Sequence, residues 1–214
     1  RLCASSYHSK EYNSLADVIH QFLQEHPDIK PERVCIGVAG PVIQGKVELT
    51  NLNWQVDILD IGQSLGIEEA ALLNDLEATA YGLAGLQEKD LFSIRSGDFE
   101  RGGNMAVLAP GTGLGEAGLF WNGETYHPFA TEGGHCDFAP RTEMDMELLQ
   151  YLQKQVEVVS WEHVVSGPGI FNIYRFLRDE KGREEPAWLS KKLEEADDPT
   201  AVVSEAATEG RGEI

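Results

Sequence analysis

Leu15, Val18, Ile19, Phe22 and Leu23 recur at helical spacing, behind a Ser14 that stands three residues before Asp17 as in a capping box. This predicts an amphipathic helix running up to Pro27. Residues 34–39 are instead short, apolar and β-branched until Gly40-Pro41 breaks them, and they read as a buried strand of a largely parallel sheet with Cys35 in the core. Residues 42–49, centred on Gln44-Gly45, read as a hairpin. A short helix over 57–65 closed by Gly66, an apolar strand over 70–73 and a further helix over 76–86 follow. Helices alternating with short buried strands are the signature of an α/β fold.

Residues 87–103 interrupt the pattern. They are polar, charged and glycine-bearing, with only 91–94 suggesting an edge strand, so a domain boundary is placed near Leu86. This gives an N-terminal α/β lobe over 1–86 and the start of a larger lobe over 87–214. Strands are expected over 105–108, 116–121 and 125–129, with a glycine-rich loop over 109–115 and an Asn122-Gly123 turn between the last two. Thr142 and Asp145 open a helix to about Lys154 with Met146, Leu149 and Leu152 on one side. Gly167-Pro168 opens a second, whose stripe is Ile170, Phe171, Ile173, Tyr174 and Leu177. Asp198-Pro199 opens a third, expected to be cut short by the chain end.

Composition narrows the function classes. The 214 residues are 42% hydrophobic, enough for a sizeable core. Thirty-six acidic against 17 basic residues give a formal charge of -19, which repels a polyanion and argues against a nucleic-acid partner. Cys3, Cys35 and Cys136 are odd in number and lack paired spacing, which points away from a disulfide framework and toward a reducing cytosol. No stretch approaches the roughly eighteen apolar residues that cross a bilayer, and no basic-then-apolar signal pattern is seen in these residues. A soluble, cytoplasmic protein with no membrane partner is the expectation. The chain opens on Arg1 and closes mid-pattern at Ile214, as a fragment would.

Four stretches carry candidate chemistry. Gly111-Thr112-Gly113-Leu114-Gly115 joins two strands rather than a strand and a helix, so it fits neither a dinucleotide fingerprint nor a P-loop. Its backbone N–H groups and the Thr112 hydroxyl suit phosphate oxygens, against the plainer reading of a tight hairpin. Asn74-Asp75 falls where a strand ends and a helix begins, the edge at which α/β proteins bind ligands, though a simple helix cap explains the same position. In residues 131–138, paired glycines between Glu132 and His135 let the backbone bend around a small ligand. If that stretch is extended, His135, Cys136 and Asp137 point to alternate faces and cannot easily share one ion, so no metal site is assigned. In residues 160–169, Ser160 can cap a short helix holding Glu162, and Ser166 or Gly167 caps the next. Taken alone, Glu162 reads as a solvated surface acid.

In this order, those stretches resemble bacterial-type glucokinase, of the actin-like, ribonuclease-H-like sugar kinases. The resemblance also takes in Ala39-Gly40-Pro41, Thr50-Asn51-Leu52-Asn53-Trp54, Leu73-Asn74-Asp75, the segment from Glu132 to Pro140 and Ser166-Gly167-Pro168-Gly169. It implies a two-lobed α/β fold that closes over glucose and transfers the γ-phosphoryl of ATP to the 6-hydroxyl with Mg²⁺. It makes Asp75 the catalytic base, and Asn74, Asp75, Glu132, His135 and Glu162 the sugar contacts. Gly111, Thr112, Gly113 and Gly115 then bind phosphate, and glucose and ATP are the partners, with a homodimer left open. Related kinases and repressors hold a zinc on a cysteine cluster, which this chain lacks. Nothing before Ser14 resembles the family's first phosphate loop, and its adenosine segment is missing. The chain is therefore expected to be an incomplete piece of a longer enzyme, or one that retains sugar binding without catalysis. A sugar-binding regulator, a kinase for mannose, glucosamine or an N-acetylated sugar, and more remotely an ATPase of the same superfamily are the alternatives.

Overall fold

The computed structural model describes residues 2–49, 51–95, 97 and 102–210. Arg1, Thr50, Ile214 and part of the 87–103 break lie outside the described residues. The chain divides into two compact units, residues 1–104 with 119–130 and residues 105–118 with 131–214.

In the first unit, helix α1 (Leu15–Glu25) starts where the Ser14 hydroxyl accepts the Asp17 N–H. Strand β1 (Arg33–Val38) pairs in parallel with β4 (Glu69–Asn74), in the register Val34↔Ala70 to Val38↔Asn74. Val38 and Leu72 point into the core with Trp54, Val56, Ile58 and Ile61. Cys35 was expected there as well, and it is exposed. It shares the opposite face with its register partner Ala71, and helix α3 (Asp75–Gly82) covers that face only farther along, where Ala78 stands against Gly37.

Gln44 and Gly45, at φ 51° and 74°, form a tight turn with reciprocal Ile43–Lys46 backbone bonds of 2.9 and 3.0 Å. The expected hairpin goes no further than that bridge. The longer ladder pairs β2 (Lys46–Leu49) antiparallel with β3 (Trp54–Asp57), a strand the sequence pattern did not reveal. Four residues are too few to display a period, yet Trp54 and Val56 are buried and Gln55 is exposed, as alternation requires. Asp57 then serves twice. Its carboxylate accepts the Leu59 N–H to cap α2 (Ile58–Leu65), and it pairs with Lys46 Nζ at 2.7 Å across the ladder. Gly66, in the left-handed region, closes α2. Residues 91–94 do not form the expected edge strand: Leu91, Phe92 and Ile94 are exposed, with no strand beside them among the described residues.

Strands β5 (Met105–Pro110), β6 (Leu114–Trp121) and β7 (Tyr126–Thr131) form a three-stranded sheet in that order. The Asn122-Gly123 turn forms as expected, with the Asn122 side chain accepting the Glu124 and Thr125 N–H groups.

The helices of the second unit build two apolar clusters. Helix α4 (Glu143–Gln153) begins with a Thr142–Asp145 capping box, and the backbone N–H groups of Arg141 and Thr142 hold the Asp145 carboxyl below the usual carboxylate range. It buries Leu148, Tyr151 and Leu152 and leaves Met146 exposed, so the buried face is rotated from the one expected. The Tyr151 ring sets that rotation, standing 5.7 Å from the Phe176 ring. Helix α5 (Gly167–Asp179) serves both clusters. Ile173, Phe176 and Leu177 pack with α4, whereas Phe171 and Tyr174 pack with Leu189 of α6 (Ala187–Glu195) and Val202 and Val203 of α7 (Pro199–Thr208). Ile170 stays exposed, and α6 had no expectation in the sequence. Helix α7 opens on Asp198 and Pro199 as expected, but it stops at Thr208, with Gly210 in a left-handed conformation beyond, rather than running to the chain end. Among the described residues, no helix is long and apolar enough to cross a membrane.

Phe176 is 2% exposed and sits where α4 and α5 meet. Phe176→Ala should destabilise the protein by about 3–5 kcal/mol in a denaturant titration, the range for losing a buried aromatic ring.

Candidate functional site

In the first unit, Asn74 and Asp75 sit at the junction of β4 and α3, beyond the carboxyl end of the strand. The cap is Asn74, 9% exposed, whose side-chain oxygen accepts the Leu76 and Glu77 N–H groups at 2.9 and 3.2 Å. Its amide nitrogen donates to the Gly40 carbonyl at 3.1 Å. Asp75 is thereby relieved of the capping role that its position allowed. Its carboxylate is exposed, and one oxygen accepts the Leu76 N–H at 2.9 Å.

The glycine-rich loop in the second unit is shorter than the sequence suggests. Because β5 runs to Pro110 and β6 starts at Leu114, the turn itself is Gly111-Thr112-Gly113, and Gly115 lies within the strand. The Gly111 N–H donates to the Gly113 carbonyl at 2.8 Å, and the Gly111 carbonyl accepts the Gly167 N–H from the first turn of α5 at 2.7 Å. Among the described residues, the N–H groups of Thr112 and Gly113 have no partner. Unpaired backbone donors beside a helix start favour an anion.

Residues 133–135 form a helical turn, not the extended stretch that the sequence argument against a shared ion assumed. The turn brings Glu132 Oε2 and His135 Nε2 to 3.7 Å, with the side chains 66% and 62% exposed. A contact that open contributes little to stability, so both groups are available to a ligand. Past the turn the chain zips onto the Glu162 segment. The Cys136 carbonyl accepts the Trp161 N–H at 3.0 Å, and the Phe138 N–H donates to Val159 at 2.8 Å. The Phe138 and Trp161 rings meet edge to face at 5.0 Å.

Glu162 is half-buried on the helical turn Trp161–His163, not a solvated surface acid. Its Oε2 accepts the Leu114 N–H at 2.8 Å, which fastens the turn to the end of the glycine loop. Three of the four sequence-predicted stretches therefore meet in one unit. Two glycines make the meeting sterically feasible: a Cβ on Gly113 would lie 2.5 Å from Glu162 Oε2, and one on Gly134 would overlap the Leu114 carbonyl.

Sequence reasoning missed three participants. The Leu114 N–H carries no side-chain signal. The Glu116 carboxylate packs on Gly133, where any Cβ would strike it, and strand alternation from Leu114 could have placed it on that face. His163 completes a capping box with Ser160, with the ring standing where a glutamate usually does. The 330 Å³ cavity bounded by Met144, Leu177, Arg183 and Pro186 involves none of the predicted site residues.

Gly134→Ala should push the 133–135 turn off β6. The expected loss is about 1–3 kcal/mol of stability by thermal or chemical unfolding, the range for overpacking. An unchanged midpoint would show that the close approach to Leu114 is not required.

A family model described as glucokinase matches residues 1–214. The chain is 38% identical over 221 residues to a glucokinase of Nostoc punctiforme, an alignment covering 98% of this chain and 65% of the relative. It thus spans about two-thirds of the length of the curated relatives it matches. Among solved structures, a glucokinase from an Antarctic psychrotroph superposes with a TM-score of 0.75 at 32% identity, over 94% of this chain and 64% of the other. A Balamuthia mandrillaris glucokinase in complex with glucose has the same fold, with a TM-score of 0.63 at 21% identity over 89% of this chain and 60% of the other. With its whole length matched by the family and its motif stretches meeting at a hydrogen-bonded junction, this chain belongs to the glucokinase family.

Proposed function

We propose that the protein phosphorylates glucose at its 6-hydroxyl with ATP as donor, and that this chain supplies the base, the sugar contacts and one phosphate-binding turn. The observation that carries the reading is the junction in the second unit, where a phosphate-type glycine turn and the turns bearing Glu132, His135 and Glu162 are fastened together. Curated relatives at 38% identity, named as glucokinases, support the choice of sugar.

Each side chain has a task that its surroundings permit. Asp75 accepts the proton of the 6-hydroxyl through the oxygen that the Leu76 N–H leaves free. Phosphoryl transfer has a loose transition state, so the carboxylate mainly orients the hydroxyl and takes its proton late. Asn74 has spent its oxygen on the helix cap and one amide hydrogen on Gly40, which leaves a single donor for a sugar hydroxyl. Glu132 and the Oε1 of Glu162 accept hydroxyl hydrogens, and His135 adds a further contact. The Thr112 and Gly113 N–H groups meet phosphate oxygens, with Gly111 and Gly115 leaving room for the approach. Mg²⁺ accompanying ATP offsets phosphate charge when bound, and no side chain of this chain is assigned to it. The same reading makes glucose and ATP the partners, places the protein in the cytoplasm and admits a homodimer.

Asp75→Asn in the full-length protein should lower kcat by about 10²–10⁴-fold, the usual share of a general base, while calorimetry finds glucose affinity within a few-fold of wild type. Near-normal turnover would refute the base assignment. Glu132→Gln should weaken glucose binding by about 1–3 kcal/mol, since it leaves a hydroxyl poorly paired. A coupled assay across glucose, mannose, glucosamine and an N-acetylated sugar tests the substrate, and phosphorylation of another hexose in preference to glucose would overturn that part of the reading.

A further inference from the structure

His163 has no task in the proposed chemistry, yet its ring is built into the turn that carries Glu162. Nδ1 accepts the Ser160 N–H at 3.1 Å and lies 2.9 Å from the Ser160 hydroxyl. Accepting a backbone N–H there requires the proton of the neutral ring to sit on Nε2. Ser160 is 4% exposed, so without the ring its N–H would be left buried and unpaired. The rest of the turn is held just as closely. The His163 carbonyl accepts the Asn172 amide at 3.1 Å, and the Ser166 hydroxyl donates to the Glu162 carbonyl at 2.6 Å. The same hydroxyl accepts the Gly169 N–H at 2.9 Å, linking the turn to the start of α5.

Glu162 is therefore fixed through its backbone before its carboxylate reaches Leu114. An error in the turn moves Oε2, and Oε2 is what holds the end of the glycine turn. We propose that His163 is a positioning residue: by holding the Ser160–His163 turn closed it sets the Glu162 carboxylate, and through the Leu114 N–H it sets the phosphate-binding turn. It acts on both ligand sites while touching neither ligand. The acceptor at the δ position, and not the ring's bulk or its other nitrogen, is the property required. Asparagine can supply an oxygen at that same position, as the Asp145 carboxylate does for the Thr142 N–H, whereas alanine and leucine, the latter of asparagine's shape, supply nothing.

The test has two arms, and only the kinetic one rests on the glucokinase reading. In the full-length protein without ligand, His163→Ala should speed amide hydrogen exchange at Leu114 by about tenfold or more, and His163→Asn should return it to within about threefold of wild type. In the kinetic arm, KM for glucose and KM for ATP should rise together in the alanine variant, with a smaller change in kcat, and both should recover with asparagine. A role confined to stability would lower the unfolding midpoint while leaving Leu114 exchange and both KM values in place, and that result overturns the proposal. So does an asparagine variant no closer to wild type than alanine. If the alanine variant fails to fold, the comparison of His163→Asn with His163→Leu decides by the same criterion. A wild-type protein that does not phosphorylate glucose would overturn the functional reading and leave the exchange arm to decide this one.

Discussion

One hydrogen bond organises the candidate site, the 2.8 Å contact from the Leu114 backbone N–H to Glu162 Oε2. It is charge-assisted and half-buried, and it joins residues 48 positions apart. A carboxylate that gives one oxygen to a fixed backbone donor has its other oxygen aimed, and that is the condition for recognising a particular hydroxyl. The bond also sets what must be small. Gly113 and Gly134 lie where a Cβ would strike Glu162 or Leu114, so the two glycines follow from the closeness of the turns.

The same economy governs the β4–α3 junction. The start of a helix needs an acceptor for its free N–H groups, and two adjacent residues could have provided it. Asn74 does so, and in doing so it bridges to Gly40 at the end of the neighbouring strand's turn. Asp75 is left with an exposed carboxylate at the helix start, one oxygen on the Leu76 N–H and the other open. A base that need not also be a cap can turn toward substrate. In both places a carboxylate gives one oxygen to a backbone N–H and keeps the other for a ligand.

Much of this could be read from residues whose role is local. Ser14, Asp57, Thr142 and Asp198 announced helix starts because capping chemistry is settled within three or four residues, and Asn122-Gly123 announced its turn in the same way. The ordered motif stretches likewise pointed to the glycine loop and to Glu132, His135 and Glu162. What stayed hidden depends on partners distant in sequence. Cys35 looked like core because its strand is apolar, but the packed face of β1 is the one carrying Val38, and α3 covers the face of Cys35 only farther along, at Gly37. Met146 gave way to Leu148 and Tyr151 because the Phe176 ring decided how α4 turns. Strand β3 was too short to show a period, and α6 draws its stability from Leu189 in a cluster shared with α5 and α7. The bond to Leu114 was invisible because a backbone N–H has the same appearance in every residue but proline.

The central claim is that the glycine turn and the turns carrying Glu132, His135 and Glu162 act as one ligand-responsive unit. Titrating glucose into isotope-labelled full-length protein while following backbone amide resonances tests it most directly. The account predicts that Leu114, Glu132, His135 and Glu162 shift together along a single saturable curve. Saturable shifts confined to other residues, with those four unmoved, would contradict it.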